Sequence, residues 1–117
     1  MEDTEKRIDK DTIKKAIEED FAYVAKIEAE EWSDGTYDEI AEALEEGREP
    51  QYRESGIVSW AQDNLSIYRY PEWEKEYGLS QEEIEEMFGG EENIIDIAIR
   101  EDRAVFYQIW ESVEETL

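Results

Sequence analysis

Apolar residues recur every three to four positions along most of the chain, and glycine, proline or a capping residue stands where that rhythm breaks. From Asp9 or Asp11 as cap, Ile13, Ile17, Phe21, Val24 and Glu28 fall on one helical row, flanked by Ala16, Ala25 and Ile27. The pattern predicts a long amphipathic first helix ending near Trp32. "SDGT" (Ser33 to Thr36) then reads as a turn with Thr36 as N-cap. Tyr37 to Glu46 follows as a second helix, with Ile40 and Leu44 inward and Gly47 as its stop. Pro50 suits the first turn of a third helix lined by Ile57, Trp60 and Ala61, although Gly56 weakens it by roughly 1 kcal/mol relative to alanine.

"NLSIYRYPEWEKEYG" (Asn64 to Gly78) breaks the rhythm. Leu65, Ile67, Tyr68 and Tyr70 suit a short extended piece, because Pro71 pushes its predecessor away from the helical region. Ser80 with Glu83 forms a capping box that opens a short helix, stopped by Gly89 and Gly90. From Asn93 onward, Ile94, Ala98, Val105 and Ile109 share one row, and Ile95, Ile99, Phe106, Trp110 and Val113 the next. So wide an apolar face suits a helix packed on two sides. The expected class is all-α: one small multi-helix domain over residues 1–117, with a long C-terminal helix and a tendency to elongation.

Charge changes this picture. The chain carries 35 acids against 12 bases, a net charge of −23, whereas solubility asks for a magnitude of only about 2–8. Two carboxylates 6 Å apart repel by roughly 0.7 kcal/mol in bulk water before screening. Many such pairs take up a noticeable part of the roughly 5–15 kcal/mol by which a domain is stable. The surplus is therefore a liability that some function must favour. It is also uneven: Met1–Trp32 nets −5, Ser33–Glu49 −6, Pro50–Leu79 −2 and Ser80–Leu117 −10.

If Ser80–Leu117 were helical throughout, its 38 residues would extend roughly 57 Å, with a carboxylate about every 5 Å. Two or three such helices side by side approach the one charge per roughly 1.7 Å of duplex DNA. The candidate partner-binding acids are Asp34, Asp38, Glu42, Glu45, Glu46 and Glu49 in the middle of the chain. Glu82, Glu83, Glu85, Glu86, Glu91, Glu92 and Asp96 follow later. Each would stand in for a phosphate oxygen facing an Arg or Lys of a basic DNA-binding protein or enzyme. The same acidity argues against direct nucleic-acid binding and against anionic membranes.

With no Cys and no His, the chain lacks thiolate nucleophiles, cysteine-based metal sites and the usual general base. "DGTYDEIAEALE" (Asp34 to Glu45) has acids at the first, fifth, ninth and twelfth places of a calcium loop, but Glu39 occupies the sixth, where the sharp turn requires glycine. Pairs such as Glu82 and Glu86 arise by chance among so many carboxylates, and 117 residues offer little cleft for a glycosidase. No phosphate-binding or dinucleotide-binding glycine pattern occurs, so the expectation is a non-enzyme with no cofactor and no metal. The cluster Trp60, Tyr68, Tyr70, Trp73 and Tyr77 has two readings: core packing, or self-association through the least charged segment.

At "DEIAEALEEGREPQYRESGIVSWA" (Asp38 to Ala61) the chain resembles the phage overcome-classical-restriction (Ocr) proteins. In those, an acidic Ile-Ala-type helix precedes a Pro-x-Tyr opening, matched here by Pro50 and Tyr52, and a helix with small and apolar residues. Ile57, Trp60 and Ala61 fall where that family's helix makes its dimer contact. The resemblance covers about 24 residues, together with overall length and an acid-rich aromatic C-terminal helix containing Trp110. The very acidic tail of that family is missing, and the N-terminal helix bears lysines. What the resemblance implies is an all-α homodimer that imitates bent duplex DNA and blocks DNA-binding defence enzymes, the logic also of acidic anti-CRISPR proteins.

Two other classes compete with the mimic. One is an acidic chaperone or antitoxin-like partner that neutralises a basic protein, and the other is a domain adapted to high salt. "MEDTEKRIDKD" at the start is polar, and no apolar run approaches the roughly 20 residues of a membrane span. The expected location is therefore cytoplasmic, the host-cell cytoplasm if the chain is phage-encoded.

Overall fold

The computed structural model describes residues 9–54 and 56–116, and no strand occurs among them. In chain order the elements are α1 (Lys10–Glu31), α2 (Ser33–Glu45), α3 (Ile57–Asn64), a π-helical turn (Leu65–Arg69), α4 (Tyr70–Tyr77), α5 (Gln81–Phe88) and α6 (Glu91–Thr116). The all-α class and the long C-terminal helix are as the periodicity predicts.

α6 is the spine. At 26 residues it runs about 39 Å, and α1, α2, α3 and α5 all pack along it. Glu18 of α1 lies by Arg100, Thr36 shares a recess with Val105 and Phe106, and Ile40 of α2 packs with Phe106 and Val113. α1 and α2 therefore follow one another along α6 in its own direction. The molecule measures 64 × 24 × 21 Å, and its radius of gyration of 17.8 Å exceeds the roughly 13 Å of a compact domain this long.

Elongation divides the core. The larger cluster joins Ile17 and Phe21 of α1 to Ile57, Leu65, Trp73, Ile84 and the first half of α6 through Ile94, Ile95, Ile97 and Ala98. Phe21 stacks on Trp60 at 5.8 Å and meets Trp73 edge-on at 6.3 Å, while Trp73 Nε1 donates to Asp20 Oδ2 at 3.0 Å. The smaller cluster, Ile40, Phe106 and Val113, joins α2 to the second half of α6. Between the two, the apolar stripe of α6 gives way to "REDR" (Arg100 to Arg103), where buried Asp102 accepts the Tyr52 hydroxyl at 2.5 Å.

Three expectations are corrected. Ser33–Thr36 is no turn: the chain bends at Trp32 alone (φ −94°, ψ 10°) and α2 begins at Ser33. Packing of Thr36 and Ile40 on α6 outweighs the local turn preference of Ser, Asp and Gly. Pro50 opens no helix: it is buried in a non-helical segment that runs to Glu54, and α3 starts only after Gly56, whose φ of +83° suits glycine.

Tyr70 is helical (φ −58°, ψ −47°) despite preceding Pro71, and the expected extended piece is the π-helical turn. A proline inside an α-helix lacks the N–H of the i−4 bond and its ring presses on that carbonyl. Widening the preceding turn relieves both problems, so the helix continues. On α1 the buried row continues through Ala25 and Ala29; Val24 is only partly buried and Ile27 is exposed.

Candidate functional site

α2 buries Ile40 and Ala43 against α6 and turns its acids outward. Asp34, Asp38, Glu42 and Glu46 follow at four-residue steps and therefore share one face, with Glu45 and Glu49 beyond it; all six are exposed. Glu39, which the sequence reading passed over as a contact, is exposed on the same helix. The second half of α6, alongside α2, adds exposed Glu111, Glu114 and Glu115, also absent from the predicted set. Their signal was partly visible: they alternate with the Val113 row, so an outward face followed once that row was buried. Their proximity to α2 was not visible, since it depends on a pairing about 70 residues apart.

Asp34, Asp38, Glu39, Glu42 and Glu45 on α2, with those three on α6, make eight carboxylates and no base within residues 33–45 and 104–116. Thirteen helical residues extend about 20 Å, giving one carboxylate per about 2.5 Å of this two-helix arm, against roughly 1.7 Å per phosphate in a duplex. Arg48 forms an ion pair with Glu46 at 2.8 Å, an exposed pair worth little in water. It is the single ion pair that the thirteen predicted acids make among the described residues.

The later group gathers at the other end of α6, around α5, and its members differ in role. Glu82, Glu86 and Glu92 are exposed. Glu83 closes the capping box: its carboxylate accepts the Ser80 N–H at 2.9 Å, and Ser80 Oγ accepts the Glu83 N–H at 3.2 Å. The Ser80 N–H first, then the Ser80 side chain and the charge of Lys10, hold the Glu83 carboxyl below its ordinary range. Glu85 and Glu91 are half-buried around Tyr70, whose hydroxyl donates to Glu91 Oε2 at 3.0 Å. Burial first, then the charges of Glu91 and Glu85, push that phenol far up. Asp96 is exposed but shares a groove with Lys14 and Arg100.

The predicted acids thus form two surfaces at opposite ends of the spine. The contact expected at Ile57, Trp60 and Ala61 is corrected at two positions. Ile57 and Ala61 are 0% exposed within the chain's own core, so neither offers a surface to a second copy. Trp60 is half-buried and stacked on Phe21. Tyr70 and Trp73 are likewise core residues, Tyr77 is partly buried, and Tyr68 stays exposed.

The chain matches no family, curated protein or solved structure. Among the described residues no group of three carboxylates is placed to hold a metal ion, and no helix is long and apolar enough to cross a membrane.

Proposed function

We propose that the chain is a non-enzymatic inhibitor that occupies the DNA-binding channel of a host defence enzyme, of the restriction-modification or CRISPR type, by presenting carboxylates in place of phosphates. One observation carries this reading. The arm of α2 and the second half of α6 holds eight carboxylates with no base in either helical segment, on a two-helix frame near the charge spacing of a duplex, and Arg48 and Arg53 line the groove beside Glu39 and Glu42. A solvated helix ordinarily interleaves both signs along its own sequence, and neither of these two segments carries a base. The 24 × 21 Å cross-section gives the molecule that carries the array a rod shape.

The energy is spread over many screened pairs, so no single acid is indispensable. Asp38→Asn or Glu42→Gln alone weakens binding by less than about threefold, and the triple Asp38→Asn, Glu42→Gln, Glu45→Gln change by about tenfold or more. A pull-down from bacterial lysate at low salt, eluted with competing duplex DNA, tests the reading. Release of a DNA-processing enzyme by duplex, and weaker capture by the triple variant, is the expected result. Capture of basic proteins at large, with no competition from duplex, would replace the mimic with an acidic chaperone or antitoxin-like neutraliser.

A further inference from the structure

Between the two acidic ends, a groove of about 390 Å³ where α1 meets α6 gathers three of the chain's few cations, Lys14, Arg100 and Arg103, with Glu18 and Asp96. Glu18 and Asp96 offset part of that charge, and aromatic rings rather than carboxylates hold two of the cations. Lys14 Nζ lies over the Phe88 ring, 5.4 Å from its centroid, and Arg103 Cζ over the Tyr52 ring at 5.2 Å. Neither makes an ion pair with a described carboxylate, and Arg100 reaches Glu18 only at 3.9 Å, with both side chains well exposed. Aromatic faces therefore position these cations and leave their charge available.

A basic channel repels such a group, since like charges brought together across an interface cost several kcal/mol. The groove is tolerated where the target presents negative charge opposite it. A nucleic-acid-cleaving channel has such a place: the carboxylates that hold the metal ions clamping the scissile phosphate. We propose that the groove receives those catalytic carboxylates, with Lys14, Arg100 and Arg103 standing where the enzyme's metal ions would stand, while the acids at either end take its Arg and Lys residues. The inference rests on the mimicry reading above, and names its target class as a metal-dependent endonuclease.

The sign of one substitution separates the two. Purified metal-dependent DNA endonucleases are titrated with the wild-type chain, with Arg100→Glu, with Arg100→Glu plus Arg103→Glu, and with the acid triple variant. Each titration is run with and without Mg²⁺ at constant ionic strength. Arg100→Glu is expected to weaken binding by about tenfold although it makes the inhibitor more acidic, and Mg²⁺ to weaken the wild-type chain but not the Arg100→Glu variants. Because Arg103 packs on Tyr52, the single Arg100 variant keeps the result readable if the double variant melts early. Unchanged or tighter binding by Arg100→Glu, or a loss indifferent to Mg²⁺, overturns the inference; if the acid triple still weakens binding, mimicry stands alone. If no endonuclease binds the wild-type chain, the inference falls, and the lysate pull-down decides the mimicry reading separately.

Discussion

Tyr70 shows how a surplus of acid is put to structural use. Its ring is in the core, against Trp73, while its hydroxyl donates to Glu91, so that half-buried carboxylate gains a donor as it leaves water; neighbouring Glu85 takes its donor from Gln81. Tyr70→Phe keeps the ring and removes the donor, and should cost about 1–3 kcal/mol in urea denaturation. Tyr52 and Tyr70 both have phenols pushed above their ordinary 10.0, chiefly by burial. A group whose folded pKa is raised stabilises the fold below its unfolded pKa, and that contribution is lost as pH rises further. Alkaline unfolding should therefore begin above about pH 10 and coincide with tyrosinate absorbance. Glu83 has the opposite sign. Its carboxyl is held below 4.5, so its contribution is present above that value and fades as pH falls through the lowered one. Glu83→Gln should lower the melting temperature near neutrality, and the gap to wild type should close in acid.

α2 is held to α6 through a small cluster centred on Ile40, and the arm depends on it. Ile40 is the residue of α2 buried with Phe106 and Val113, in a cluster separate from the main core. Ile40→Ala should cost about 2–5 kcal/mol, and hydrogen exchange should show α2 and the end of α6 losing protection before α1 does. Much of the element layout was legible in the sequence because it rests on local chemistry. The Ser80–Glu83 capping box, the Gly89–Gly90 stop and the double apolar row of α6 are each written within a few residues. Illegible were features set by tertiary packing: the helical state of Ser33–Thr36, held by α6, and that of Tyr70, made tolerable by the π-helical turn. The candidate site divides the same way. The acids of α2 were found from charge alone, whereas Glu111, Glu114 and Glu115 join them through a long-range pairing. Ile57 and Ala61, apolar in either case, could be told from a dimer surface only by their burial.

As a whole, the molecule is a 64 Å rod with an acidic arm at one end, acids around α5 at the other, and a mixed-charge waist at Lys14, Glu18, Arg100 and Arg103. Its repulsion is arranged along a line rather than around a sphere, which lowers its cost to the fold and concentrates its negative field at the two ends. Under the proposed function, this ordering is what would separate a mimic from a chain that is merely acidic, because a partner built for a duplex would meet charges at nearly duplex spacing. The most direct test is the affinity for a duplex-displaced DNA-processing enzyme, measured across about 50 to 500 mM salt. Log affinity should fall steeply and linearly with log salt, and the slope should become shallower when Asp38, Glu42 and Glu45 are neutralised. A flat line, or a slope indifferent to those three residues, would contradict the account.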